Sequence, residues 1–196
     1  MPAGLYADEV GQMKDSALVP EKKVMPVISA ITFVGFLDTH LLIPVMSLYA
    51  TELGAGVGMV GLIIGMYSII NTPANVFFGW VVDRFGYKFI LLIGLLGDAA
   101  SMFLYTLCRT PLHLILVRIL HGAMGGIVGP STMAAISYHG GESRQSRNMA
   151  VYGMSLASAT LVGYGLSGIV SSRYGYDIVF QIGAGLLVLG AVLGLT

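Results

Sequence analysis

The stretch Gly79-Trp80-Val81-Val82-Asp83-Arg84-Phe85-Gly86-Tyr87 is echoed by Gly168-Ile169-Val170-Ser171-Ser172-Arg173-Tyr174-Gly175-Tyr176, 89 residues further on. Glycine, valine, arginine, glycine and tyrosine recur at matched positions, and each copy closes a long apolar run. Repeated punctuation of this kind indicates two copies of one unit. If each copy crosses a membrane an odd number of times, the two lie in opposite orientations. Inverted repeats of that sort mark transporter folds.

Working outward from the two copies, six runs reach the roughly 20 mainly apolar residues that a bilayer-crossing helix needs. They lie at about 24–50, 56–82, 88–106, 112–137, 149–170 and 178–195. Open sheet cannot satisfy its backbone in lipid, so all six read as helices. The links are short, so sequence neighbours run antiparallel. The expected fold class is all-α: a polytopic membrane protein with six transmembrane helices as a 3+3 inverted repeat over residues 24–196, after a polar tail at 1–23.

Composition supports the same reading. Hydrophobic residues make up 56% of the 196, with 27 glycines besides, charged residues only 10%, and mean hydropathy is +0.83. Soluble domains carry about 25% charged residues. A water-soluble enzyme, a disordered chain and a nucleic-acid binder are all excluded by this balance, and ten basic against ten acidic residues leave no basic face. One cysteine, Cys108, forms no internal disulfide. The tail mixes Asp8, Glu9, Asp15 and Glu21 with Lys14, Lys22 and Lys23, unlike a cleaved signal peptide. With the N-terminus inside, Lys14, Lys22, Lys23, Arg84, Lys88, Arg144 and Arg147 are internal, and only Arg109 and Arg173 are external. That bias puts both termini in the cytoplasm.

The link after the second helix is the richest stretch. Gly79, Asp83, Arg84, Gly86 and Lys88 form G-x-x-x-D-R-x-G-x-K. Gly79 suits close helix approach, and Gly86 suits a tight turn. Asp83 is an anion placed to meet a helix N-terminus. Arg84 and Lys88 suit carboxylates and helix C-terminal carbonyls, or an ordinary positive-inside loop.

This run resembles the cytoplasmic signature of the major facilitator superfamily, in its N-terminal six-helix half, with Tyr87 where a second basic residue is usual. Asp38 through Pro44 and Tyr49 is similar to the first helix of drug:proton-type members. Leu114 through Arg118, His121 and Gly122 resembles the helix-four motif, with His121 standing for the usual glutamine. Arg147 through Gly153 resembles the start of helix five, and Tyr174 through Phe180 that of helix six. Where antiporters carry G-P-x-x-G-G, this chain reads Ala159-Thr160-Leu161-Val162-Gly163-Tyr164, so symport and uniport stay open beside antiport. Gly153, Gly163, Gly165 and Gly168 read as close-packing positions.

The resemblance implies half of a twelve-helix fold. It implies movement of a small solute by alternating access, proton-coupled and efflux-type, in the plasma (inner) membrane. Asp83 would be the latch anion between halves, with Gly79, Arg84, Gly86, Lys88 and Arg147 around it. The implied partners are solute, protons, lipid and a second six-helix half in cis or trans. No nucleic acid, cofactor or enzyme chemistry is expected. The alternative is a non-transporting scaffold or assembly subunit. The end at Leu195-Thr196 favours a piece of a twelve-helix carrier over a self-pairing half.

A charge at the bilayer centre costs about 2.5–3.5 kcal/mol on insertion scales, so ionisable groups at depth are candidate sites. Asp38 and Arg118 lead, expected as a pair on the cavity wall or as a static packing pair. His121 follows Arg118 on the same face, either titrating or bonding a neighbouring helix. Asn71 and Asn75 are one turn apart, for substrate or interhelical bonding. Asp98, flanked by Gly94 and Gly97, reads mainly as tight packing. His40 lies about 200° around its helix from Asp38 and reads as a buried bonded imidazole. No metal site is read, since His113, His121 and His139 are dispersed.

Overall fold

A computed structural model describes residues 21–140 and 145–195; the tail at 1–20 and Arg144 lie outside the described residues. Six helices follow in order: α1 (Glu21–Glu52), α2 (Val57–Phe85), α3 (Tyr87–Tyr105), α4 (Pro111–Gly140), α5 (Gln145–Tyr174) and α6 (Tyr176–Leu195). All six are long and apolar enough to cross a membrane. The shortest has 19 residues, which at 1.5 Å each spans about 29 Å, close to the hydrocarbon thickness.

Most helices outrun the apolar stretches that announce them. α5 extends four residues beyond the expected run at each end, and α1 starts three residues early. An apolar window measures what lipid covers. The backbone keeps its helical hydrogen bonds through polar residues until something breaks them. Here the breakers are Gly86 and Gly175, each at φ 84°, a region only glycine enters freely. Gly86 N–H donates to Val82 O at 2.8 Å and Gly175 N–H to Ser171 O at 3.0 Å. Each is a one-residue link, and the two links are 89 residues apart, as in the sequence repeat.

The repeat also governs packing. α2 lies along α4 as α5 lies along α1, and α3 packs on α4 as α6 packs on α1, while α3 and α6 touch each other. These relations are preserved when α1–α3 are exchanged with α4–α6, as an inverted 3+3 repeat requires. Within each unit, helices adjacent in sequence touch comparatively little, whereas α3 and α4, which join the two units, pack closely. Each three-helix unit therefore completes itself on the first helix of the other. The shared core includes Leu42, Met46, Leu95, Met102, Tyr105, Leu114, Phe180 and Leu187, all fully buried.

Lipid tails are as apolar as leucine, so burial alone does not draw these helices together; close van der Waals contact does. At the α2–α4 crossing, a Cβ on Gly126 would sit 2.5 Å from the Ala74 Cβ, and one on Gly122 2.7 Å from the Tyr67 carbonyl oxygen. At the α1–α5 crossing, a Cβ on Gly163 would sit 2.7 Å from the His40 Cβ. Ala74 and Gly163 are again 89 residues apart. The expectation of close packing fails at Gly79, Gly153, Gly165 and Gly168, where a Cβ meets nothing within 4 Å. These four lie on α2 and α5; Gly153, Gly165 and Gly168 are exposed, and Gly79 borders a recess between α2 and α4.

Gly126→Leu and Gly163→Leu should each destabilise the bundle by about 1–3 kcal/mol or more, as overpacking does. Gly153→Leu should be neutral. Unfolding midpoints in detergent, followed by circular dichroism, check both statements.

Candidate functional site

Four helices contribute polar side chains to one cluster. α1 brings Asp38 and Thr39, α2 brings Tyr67, Asn71 and Asn75, α3 brings Asp98 and Tyr105, and α4 brings Arg118 and His121. Helical spacing groups them: residues three, four or seven apart share a face. The close α2–α4 crossing makes room for the rest. A Cβ on Gly125 would fall 2.7 Å from the Tyr67 hydroxyl, so a glycine there lets the phenol lie between the helices.

His121 is the centre of the cluster. Its Nε2 is 2.8 Å from Asp38 Oδ2 and 3.9 Å from Asp98 Oδ1. Its Nδ1 shares a hydrogen bond of 3.2 Å with the Tyr105 hydroxyl. The Tyr67 ring stands edge-on to the imidazole at 5.0 Å. Asp98 and His121 are 0% exposed, Asp38 1% and Arg118 3%. Neither oxygen of Asp98 has a hydrogen-bond partner.

From Asp38 a chain of hydrogen bonds runs out along α2. Asn75 Nδ2–H donates to Asn71 Oδ1 at 2.7 Å, and Asn71 Nδ2–H to Tyr67 Oη at 3.3 Å. Tyr67 Oη lies 3.2 Å from Thr39 Oγ1, whose hydroxyl donates to Asp38 Oδ1 at 3.3 Å. With Tyr67 as donor to Thr39, every donor points towards the carboxylate, which can only accept when ionised. Asn71 also ties α2 to α4 by donating to Gly122 O at 3.3 Å. Asn71 and Asn75 are partly exposed, so the chain links the flank of the bundle to its buried centre.

One expectation is revised. Asp38 pairs with His121 rather than Arg118; Asp38, Arg118 and His121 are buried within this bundle, while Asn71 and Asn75 are partly exposed. Arg118 lies three residues nearer the start of α4, about 4.5 Å along the axis, and its guanidinium stands over the Tyr67 and Tyr105 rings at 5.6 and 6.0 Å. Its Nε has no hydrogen-bond partner. Asp98 is the residue that sequence reasoning undervalued. Gly94 and Gly97 do pack tightly on α4, against Ile127 and Met124, and that same contact brings Asp98 to His121. Asp38, Asp98 and His121 place three ligand-type atoms within 4.8 Å of one another, a grouping across three helices that spacing within one helix does not announce. Tyr67 and Tyr105 were also missed. A Tyr67, Asn71, Asn75 stripe at four-residue spacing, and Asp98 seven residues before Tyr105, are the signals that point to them.

His40 bonds Phe36 O through Nδ1 at 2.6 Å and Thr160 Oγ1 through Nε2 at 3.0 Å. It is a tie between α1 and α5, outside the cluster.

At the α2–α3 turn, Asp83, Arg84, Gly86 and Lys88 are exposed, as is Arg147 at the start of α5. Arg84 lies over the Trp80 and Phe85 rings at 5.6 and 5.9 Å. Among the described residues the ion pairs are those of His121, so Asp83 has no cationic partner here. Asp83 and Gly79 border a recess between α2 and α4 with Pro130, Met133 and Ser137. Tyr87, in place of a basic residue, shares a 2.7 Å hydrogen bond with His139 Nε2 and joins the start of α3 to the end of α4.

Comparison with known proteins agrees with this architecture. The model of the Major Facilitator Superfamily matches residues 28–196. An uncharacterised MFS-type transporter of Methanocaldococcus jannaschii is 28% identical over 88% of this chain and 45% of its own length. The staphyloferrin B transporter of Staphylococcus aureus is 28% identical over 76% of this chain and 37% of its own. The quinolone resistance protein NorA of the same organism is 26% identical over 71% and 36%. The chain thus spans less than half the length of these curated relatives. With six bilayer-length helices in an inverted repeat and a match over nearly all of its described residues, the chain belongs to the major facilitator superfamily, a family of membrane transporters rather than enzymes.

Proposed function

We propose that this chain is one six-helix half of a secondary carrier, moving a small solute across the membrane by alternating access. Movement is coupled to protons and efflux-type. The observation that carries the reading is the hydrogen-bonded chain from Asn75 to Asp38 and on to His121. It joins partly exposed amides, suited to a solute, with a carboxylate and an imidazole suited to a proton. Buried ionisable groups in a membrane helix bundle are functional by default because lipid penalises them. The names of two relatives, a siderophore transporter and a quinolone resistance protein, favour an exported small molecule.

In this mechanism α2 and α5, the most exposed helices of the described bundle, meet the second half, supplied in cis or in trans. Asn71 and Asn75 then face the cavity between halves. Solute binding there shifts the amide chain, and Tyr67 and Thr39 relay the change to Asp38. Arg118, held over two tyrosine faces, offsets negative charge in the pocket. The exposed turn of Asp83, Arg84 and Lys88, with Arg147, supplies the latch that engages when the carrier faces outward. Both termini are cytoplasmic, following the positive-inside bias.

In proteoliposomes containing the whole carrier, Asp38→Asn should abolish solute accumulation driven by a pH gradient while solute exchange without a gradient persists. Unchanged gradient dependence would refute the role of Asp38. Asp83→Asn should slow transport a few-fold, the scale of about 1 kcal/mol from a charge–dipole contact, without moving the unfolding midpoint. If the parent moves no solute and these variants differ from it in nothing but stability, the bundle is a scaffold.

A further inference from the structure

We infer that Asp38, His121 and Asp98 hold one proton between them, and that His121 passes it between the carboxyl groups of α1 and α3. This deepens the reading of the cluster as a coupling site by adding Asp98 as a second proton station.

Among the described residues, the buried Asp, Glu, Lys, Arg and His side chains are Asp38, Asp98, Arg118 and His121. With both carboxylates ionised, Arg118 cationic and the imidazole neutral, the pocket carries one net negative charge. One added positive charge makes it neutral. A divalent ion would overshoot to a net positive charge in a water-poor place, where unbalanced charge is penalised most. It would also find one imidazole and two carboxylates close together, where hard cations take a full shell of six or more oxygen ligands. A proton meets the count without needing more ligands.

Asp98 is wholly buried, and neither of its oxygens has a partner, yet Oδ1 is aimed at His121 Nε2 from 3.9 Å. An ionised carboxylate left so is costly. In one arrangement His121 is an imidazolium, donating Nε2–H to Asp38 Oδ2, with Nδ1–H towards the Tyr105 hydroxyl. A movement of about 1 Å brings Nε2 within hydrogen-bond reach of Asp98. The Nε2 proton then passes to Asp98 Oδ1. The N–H bond breaks and its electron pair stays on the imidazole, while the new O–H bond uses a carboxylate lone pair. Before transfer the charges are Asp38 negative, His121 positive, Asp98 negative and Arg118 positive. Afterwards Asp38 is negative, Arg118 positive, and His121 and Asp98 neutral. Both arrangements sum to zero, so the proton belongs to the group rather than to one residue.

The titratable and charged groups of the cluster around Asp98 come from α1 to α4. They are Asp38 from α1, Tyr67 from α2, Tyr105 on α3 itself, and Arg118 and His121 from α4. The titratable side chains of α6, Tyr176 and Asp177, sit in its first turn.

Infrared difference spectra between acid and alkaline pH, on the purified chain with carbon-13-labelled aspartate in lipid nanodiscs, test this without any transport. The wild type should show the carbonyl stretch of one buried protonated aspartate. Asp98→Asn should lose that band. His121→Gln should strengthen it, because the imidazole no longer shares the proton. Aspartates elsewhere contribute equally to all three and cancel in the comparison. Circular dichroism confirms that each variant is folded. A wild type with no such band, or the same band in both variants, would overturn the inference. The outcome separates from that of the proposed function. A missing band with transport still sensitive to Asp38 removes only the shared proton. A present band with transport indifferent to Asp38 removes the coupling role.

Discussion

Glycine at the two long helix crossings is the constraint on which the other features rest. In lipid there is no hydrophobic gain in bringing one apolar helix against another, so the depth of contact decides which helices stay together. Gly122, Gly125 and Gly126 let α2 sit against α4 at backbone distance, and Gly163 does the same for α5 on α1. Once α2 is that close, the Tyr67 hydroxyl and the Asn71 amide fall within reach of α1 and α4. The polar chain to Asp38 is thus a product of packing. A bulkier α4 would separate the donors before it disturbed any charge.

The same contact explains how four ionisable groups persist at depth. Each alone would be expelled or left neutral at the cost that bilayers impose on charge. Together they share two tyrosine rings and one imidazole. Arg118 gains the faces of Tyr67 and Tyr105, and Asp38 gains His121 and Thr39. Asp98 gains proximity without a bond, which makes it the least settled member and the natural place for a mobile charge.

The sequence made the bundle legible because its main signals are local. Apolar runs count the crossings, and the echo of Gly79–Tyr87 in Gly168–Tyr176 reveals the repeat. Helix ends were less legible, since hydrogen bonding continues past the apolar residues to Gly86 and Gly175. The buried cluster was legible in part of its membership and not in its pairing. Asp38, Arg118 and His121 could be named as charges out of place. Which of them meet depends on the axial offset between α1 and α4, and no spacing within one helix reveals that. Asp98 was hidden by its own neighbours. Gly94 and Gly97 announced a packed face correctly, and a packed face discouraged a polar reading. Tyr67 and Tyr105 were lost among aromatics that a membrane protein carries for many reasons.

Because each three-helix unit completes itself on the other, the order of synthesis acquires a meaning. Ribosomes deliver α1, α2 and α3 before α4. Asp38 and Asp98 therefore reach the bilayer while His121 and Arg118 are still to be made, and α2 arrives with Tyr67 and Asn71 facing no partner. The first half of the repeat is born with its acids exposed and its bases absent. Its early residence in the membrane calls for neutral carboxyl groups, a sheltering insertase or a delay at the lipid boundary until the fourth helix follows. The architecture that makes the finished bundle symmetric thus makes its assembly strictly sequential.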